Sequence, residues 1–367
     1  MLILIPGCRQ REDLASLSPD IKSTADRYGP AAALAMAQDR ADKEPTARNY
    51  ERLAQVYTLT EQLDEAIKAL QKALELDPDY PRAVIGMSIV KLRQNRPAEA
   101  QELAERLLDD KFAGPQEAQV TLIRALLGQQ KAKQAYGTSQ MAVKQHRDYG
   151  PLYYALGDSA LAVGKVAEGE SAYREAINID PGERRYRQAL IVALVRAKKI
   201  DEAVEMAQQT QEQYPESPTI QFIAGSVYSQ AGNTKAAIKA YEEALLLRPD
   251  MAPAANNLAL TLAERGEQLT RAQELASKAL RQDPNNNAYA DTLAWTWIRA
   301  GKYADGIKLL ETVVKYWPES PAPRYHLGYA LVKTGKTERG KALLKQAAAA
   351  DDRPDVANAA KEVLAGL

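Results

Sequence analysis

Apolar residues recur along this chain at spacings of three and four. They fall in paired stretches that are separated by a short Gly or polar turn and closed by a proline. That spacing is the helical period, so each pair predicts two helices joined by a tight turn. In 47–80 the first stretch carries Tyr50, Leu53, Ala54 and Tyr57. The second carries Ala66, Leu70 and Ala73, and Pro78 stops it. The whole pattern then repeats every 34 residues. Residues 218–251 hold Gly225, Tyr228, Gly232, Ala237, Tyr241, Ala244 and Pro249. The same slots 68 places earlier hold Gly157, Ala160, Gly164, Gly169, Tyr173, Ala176 and Pro181. Those 103 places later hold Gly328, Leu331, Gly335, Gly340, Leu344 and Ala347. A fixed period in this range marks a solenoid, whose units hide their apolar faces against one another.

Nine units follow: 47–80, 81–114, 116–149, 150–183, 184–217, 218–251, 252–286, 287–320 and 321–354. Small residues at the eighth and twentieth slots stand where two antiparallel helices must approach. The closing proline ends one helix and suits the first turn of the next. Departures mark the weaker edges. Units 81–114 and 116–149 carry Phe112 and Arg147 at the proline slot, and Ser88 and Ile123 at the small slot. Unit 252–286 has one extra residue near Glu267–Leu269, which predicts a longer turn. Gly169, Gly306 and Gly340 stand where the second helix prefers alanine. They mark either drift at a site that demands only smallness or an approach too close for a methyl. Terminal units need covers. Residues 355–366 predict a capping helix through Val356, Ala359, Ala360, Val363 and Leu364. Residues 19–46, with a helix over Ala31–Ala41, predict a degenerate cap behind a tether at 1–18.

The pattern resembles the tetratricopeptide repeat (Trp-x2-Leu-Gly-x2-Tyr, then Ala-x3-Phe, then Pro) over more than four fifths of the chain. The resemblance implies an all-α, right-handed solenoid. It also implies a concave groove, lined by the first helix of each unit, that takes extended or helical peptides. The fifth and ninth slots share one helix face and supply Tyr154, Asp158, Phe222, Ser226, Asn256, Asp291, Trp295, Tyr325 and Tyr329 as groove residues. Such a groove is apolar and aromatic, the composition that anchors interfaces. A superhelix that closes on itself, or a terminal helix in the groove, would remove it. Trp295 is expected to face the hollow and Trp297, in the eleventh slot, the core. Some family members clamp a terminal carboxylate with Lys and Asn. Asn257 matches that asparagine, but Phe222, Ser226, Ala288 and Thr292 break the clamp. Asn256 and Asn257 could still hold a peptide backbone through their amides.

Composition narrows the chemistry. Lys plus Arg number 48 and Asp plus Glu number 48, so no global basic field invites nucleic acid. Arg184, Arg185, Arg187, Arg196, Lys198 and Lys199 form one local basic patch, either a solvated face or a seat for an acidic polymer or peptide. No run of 18 apolar residues predicts a membrane span. One cysteine and two histidines, His146 and His326, predict neither an internal disulfide nor a metal cluster. Phosphate loops, His-Glu-x-x-His, Cys-x-x-Cys and Gly-x-Ser-x-Gly are all missing from the sequence, and no enzyme or cofactor is expected.

Met1–Cys8 reads Met-Leu-Ile-Leu-Ile-Pro-Gly-Cys, which resembles a bacterial lipoprotein cleavage box in which the cysteine is acylated. Pro6, a missing basic segment and a short apolar run depart from that pattern. Arg9 lacks the inner-membrane retention signal of Asp, so the resemblance implies the periplasmic face of an outer membrane; a cytoplasmic chain is the alternative. The run Asp291-Thr292-Leu293-Ala294-Trp295, with the extended turn before it, resembles bacterial lipoproteins of envelope and exopolysaccharide export. The expected function is a non-catalytic scaffold that docks a protein or peptide partner. A cytoplasmic chaperone-like adaptor and a polysaccharide-binding accessory are the alternatives.

Overall fold

Two antiparallel helices joined by three residues need the chain to reverse abruptly, and one backbone geometry does this in all nine units. The fifteenth residue of each unit has positive φ: Glu61, Asn95, Gln130, Gly164, Lys198, Gly232, Gly266, Gly301 and Gly335. The amide that follows it then donates back to the carbonyl five residues earlier. Examples are Gln62 N to Tyr57 O at 2.8 Å and Lys336 N to Leu331 O at 2.9 Å. This is the Schellman closure of a helix end, which satisfies a carbonyl that would otherwise lack a partner. In unit 252–286 the inserted residue brings a second left-handed position at Gln268 (φ 45°). The insertion lengthens the first helix by one residue and leaves the turn itself at three.

The computed structural model describes residues 24, 29–108, 115–351 and 353–367. Among them are twenty helices and no strand, as the all-α expectation requires. The expected tether at 1–18, Cys8, most of the N-terminal part of the 19–46 cap and Phe112 lie outside the described residues. The chain divides into two compact units, one ending at Lys199 and the other running from Ile200 to Leu367. That boundary falls within predicted unit 184–217, between its two helices.

The N-terminal unit begins with α1 (Pro30–Lys43). Four hairpins follow: α2 and α3 (Ala47–Leu59, Leu63–Leu76), α4 and α5 (Pro81–Arg93, Pro97–Arg106), α6 and α7 (Pro115–Gly128, Ala132–Gln145), and α8 and α9 (Gly150–Ala162, Val166–Ile179). The unit ends with α10 (Arg184–Arg196). The C-terminal unit begins with α11 (Ile200–Gln213). Its hairpins are α12 and α13 (Pro218–Gln230, Thr234–Leu247), α14 and α15 (Ala252–Arg265, Leu269–Gln282), α16 and α17 (Asn287–Arg299, Tyr303–Tyr316), and α18 and α19 (Pro321–Lys333, Thr337–Ala348). It ends with α20 (Pro354–Ala365). Within each unit, first helices also pack side by side: α2 on α4, α4 on α6 and α6 on α8, then α12 on α14, α14 on α16, α16 on α18 and α18 on α20.

Burial follows the repeat. Ala33, Ala37 and Ala41 of α1 share a core with Leu53, Ala54 and Val56 of the first hairpin. At the other end Val356 and Ala360 of α20 pack on Leu344 and Ala347. Each helix thereby covers an apolar face that would otherwise meet water.

Helix approach inside a hairpin is set by the eighth slot. A Cβ on Gly157 would stand 2.3 Å from the Tyr173 ring, and one on Gly225 2.7 Å from Tyr241. Ser88 fits its slot by donating its buried hydroxyl to Ala100 O at 2.7 Å. Gly169, Gly306 and Gly340, at the twentieth slot, press on the partner helix's backbone. Cβ atoms there would meet Gly157 O at 3.2 Å, Ala294 O at 3.1 Å and Gly328 O at 2.8 Å. At Gly340 the approach is too close for a methyl, and at Gly169 and Gly306 it is tight. Gly340→Ala should lower the melting midpoint. Overpacking against backbone costs about 1–3 kcal/mol, more than the ~0.5–1 kcal/mol that helical alanine gains over glycine. A raised midpoint in a thermal melt would refute the close-contact account.

Candidate partner-binding faces

A buried tyrosine needs a partner for its hydroxyl, and in two hairpins the ninth slot provides it. Tyr173, packed over Gly157, donates to Asp158 Oδ1 at 2.6 Å. Tyr241, packed over Gly225, donates to Ser226 Oγ at 3.4 Å. The separation of 15 residues is the same in both pairs. Where the position of Tyr173 and Tyr241 is taken by leucine, as at Leu310 and Leu344, no hydroxyl asks for a partner. The ninth slot is aromatic in these two hairpins, Trp295 and Tyr329 respectively, and is Gln55 in the first hairpin, where Leu70 takes the same position.

In the N-terminal unit the inner face is centred on Tyr154 and Asp158. The Tyr154 ring lies 5.7 Å from that of Tyr173 and 5.3 Å from that of Tyr186. It remains half-buried, as does Asp158. Although part of its surface is open, Asp158 stands in a concavity where protein displaces water, and this raises its carboxyl above the ordinary aspartate range. The Tyr173 hydrogen bond and the nearby guanidiniums of Arg124, Arg185 and Arg196 oppose that rise. Burial likewise pushes Tyr149 up to about 12, with Glu117 adding to the shift. Of the expected basic patch, Arg185 is paired with Glu183 at 3.0 Å and Lys199 with Glu170 at 3.0 Å.

The C-terminal unit departs from expectation. Trp295 was expected to open into a hollow, but it is only 3% exposed, whereas Trp297, expected in the core, is half-buried. The indole is held between first helices. It stacks on His326 at 4.3 Å and 17°, touches the Tyr325 and Tyr329 rings at 5.7 and 5.4 Å, and lies under the Arg299 guanidinium at 5.5 Å. His326 Nδ1 in turn lies 2.7 Å from Asp291 Oδ1, and both side chains are buried.

Phe222, Ser226, Asn256, Asn257 and Asp291 are buried too. Asn257 Nδ2 donates to Tyr241 Oη of the preceding hairpin at 3.4 Å, and Asn256 Nδ2 to Asn257 Oδ1 at 3.3 Å, so both amide nitrogens are engaged inside the stack. The cause is common to Phe222, Ser226, Asn256, Asp291 and Trp295. First helices pack closely enough for their fifth and ninth side chains to fill the space between neighbours. Only Tyr325 and Tyr329 of the expected residues in this unit stay half-exposed. The sequence reading missed Glu264 and Arg299, both at the thirteenth slot. That slot lies one turn beyond the ninth on the same face, a spacing signal that was available. His146 is half-buried and caps the C-terminus of α7.

Protonating Asp158 favours the folded state, since its native carboxyl holds a proton at pH values where the unfolded chain has lost it. Stability from this group is therefore present at low pH and falls as pH rises above the ordinary aspartate range. Asp158→Asn keeps an acceptor for Tyr173 and removes the buried charge. Its melting midpoint, measured relative to the parent chain, should become more favourable as pH is raised from about 3 to 6. A difference that does not change with pH would overturn this assignment.

Each unit is thus a stack of helical hairpins with first helices innermost, the build of an α-solenoid repeat protein. Two sequence profiles described as tetratricopeptide repeat match residues 57–116 and 298–363, and 154–218 and 224–287. Together they cover more than half of the chain, which belongs to the tetratricopeptide repeat family. It is 26% identical over 187 residues to TPR repeat-containing protein PA4667 of Pseudomonas aeruginosa, a match spanning 49% of this chain and 31% of the relative. It is 22% identical over 246 residues to TPR repeat-containing protein YpiA of Bacillus subtilis, spanning 66% and 57%. The chain thus spans from under a third to somewhat over half of these relatives' length.

Among solved structures, the APC/C hetero-tetramer Cut9-Hcn1 superposes with TM-score 0.62 at 16% identity, covering 83% of this chain and 59% of that one. The human IFIT1 dimer with m7Gppp-AAAA gives 0.54 at 15% identity, covering 86% and 80%. At these identities the likeness concerns the fold. Repeats of this family build scaffolds for protein–protein interaction and are generally non-catalytic. No helix among the described residues is long and apolar enough to cross a membrane.

Proposed function

We propose that this chain is a non-catalytic scaffold that docks a protein or peptide partner on its first-helix faces. The observation that carries the reading is where aromatic surface survives on those faces. Tyr154 in one unit, and Tyr325 and Tyr329 in the other, keep half-exposed rings, whereas Phe222 and Trp295 at the same slots are packed away. Rigid aromatic rings backed by buried neighbours are the usual anchors of an interface. Tyr329→Ala leaves the hairpin's own leucine-filled core in place, so the fold should persist while capture of the native partner from source cells falls about tenfold or more. Equal capture by Tyr329→Ala and parent, with helical content unchanged in both, would remove this face from the interface.

The finer reading places the scaffold in the periplasm, held to the outer membrane through an acylated Cys8 and serving assembly or secretion of a surface polymer. It is supported by the apolar run ahead of Cys8 and by the 291–295 run. Mass spectrometry of the native protein should find a diacylated N-terminal cysteine. An unmodified Met1 would exclude the anchor.

A further inference from the structure

The two units treat the same helix face differently. On α12, α14 and α16 of the C-terminal unit, the fifth, ninth and twelfth side chains are buried except at Ser229 and Leu260. On α4, α6 and α8 of the N-terminal unit, Val120 alone of the nine is buried. Ile85, Ile89 and Leu92 of α4, Leu127 of α6 and Leu161 of α8 all keep part of their surface open. These three helices pack side by side, so the aliphatic side chains form adjoining rows whose remaining water a guest can displace.

Free charge on this face has one sign. Of the four basic residues on the three helices, Lys91 pairs with Glu99 at 3.1 Å and Arg93 with Glu61 at 2.6 Å. Arg82 and Arg124 make no hydrogen bond or ion pair among the described residues. Arg124 is the half-buried one, at the ninth slot of α6, with Ile89 and Asp158 at the same slot of the flanking helices. The only carboxylates on the three helices are Asp158 and Glu117. Asp158 accepts the Tyr173 hydroxyl at 2.6 Å, and Glu117 holds its Oε2 out of contact with solvent. A guanidinium presents a planar fork that matches a carboxylate, and here that fork stands among aliphatic rows with no internal acid paired to it.

We propose that this face seats an extended peptide segment in which an aspartate or glutamate is flanked by aliphatic residues. The carboxylate pairs with Arg124, and the aliphatic side chains rest on Ile89 and Leu92 to one side and Leu161 to the other. Packed helices lie about 8–10 Å apart, and an extended chain advances about 3.3 Å per residue. The aliphatic residues therefore fall about two or three positions from the acid. A basic residue in the acid's place would meet like charge, and a neutral one would cover Arg124 without pairing it. The proposal rests on the scaffold reading and gives the partner segment its chemistry.

The test is selection of random dodecapeptides displayed on phage against the full chain, followed by affinity measurement on synthetic copies of the enriched peptides. These should carry Asp or Glu with aliphatic residues two or three positions away. Arg124→Gln should weaken them about tenfold or more, Arg124→Lys should recover part of the loss, and helical content should stay that of the parent. Replacing the peptide's acid by its amide should weaken binding to the parent to a similar extent, yet change binding to Arg124→Gln little. Enriched peptides without an acid, or equal affinity for parent and Arg124→Gln, overturn the carboxylate seat while leaving the scaffold reading intact. Failure of the parent to enrich any peptide overturns both.

Discussion

The distance between the two helices of a hairpin governs the rest of this molecule. A glycine or other small residue at the eighth slot lets the second helix lie so close that its tyrosine ring, at Tyr173 or Tyr241, occupies the space a methyl would need. Once that ring is buried, its hydroxyl must be satisfied, and the next residue of the first helix is recruited to do it. One packing decision thereby fixes the chemistry of a neighbouring position on the inner face. Where leucine replaces the tyrosine, the ninth slot is released from that duty and holds Gln55, Trp295 or Tyr329. The inner surface is a by-product of how each hairpin closes.

This dependence explains what could be read from sequence. Hairpins were legible because they follow from the helical period, repeated nine times, with small residues and turn glycines reinforcing it in most units. Side-chain exposure on the inner face was not. Slot arithmetic assigns Trp295 to a face of α16 but says nothing about how near α18 comes. It comes close enough for His326 to stack on the indole, so an inward-facing residue is also a buried one. The same closeness hides Phe222, Asn256 and Asn257. Glu264 escapes burial because it stands at the end of its helix, beyond the neighbours that cover the middle.

The buried polar residues give the packing direction as well as cohesion. Asp291 with His326, across two first helices, and Asn257 with Tyr241, from a first helix to the preceding hairpin's second, link successive hairpins. Such contacts are satisfied in one register only. Sliding one hairpin along its neighbour would strand several polar groups at once, each costing about 1–3 kcal/mol. Apolar alanine-rich seams alone would tolerate such slippage far more readily.

The turn residues carry an asymmetry along the chain. Four of the five reversals before Ile200 hold side chains in a backbone region that disfavours them, at Glu61, Asn95, Gln130 and Lys198, whereas all four later reversals use glycine at that place. A side chain in the left-handed region costs roughly 1–2 kcal/mol. Stored tension is therefore concentrated in the first half, with Gln268 the one counterpart beyond it. In a repeat array, where each block answers mainly to its neighbours, that tension acts locally, and glycine at any of the four positions would release it without disturbing distant hairpins.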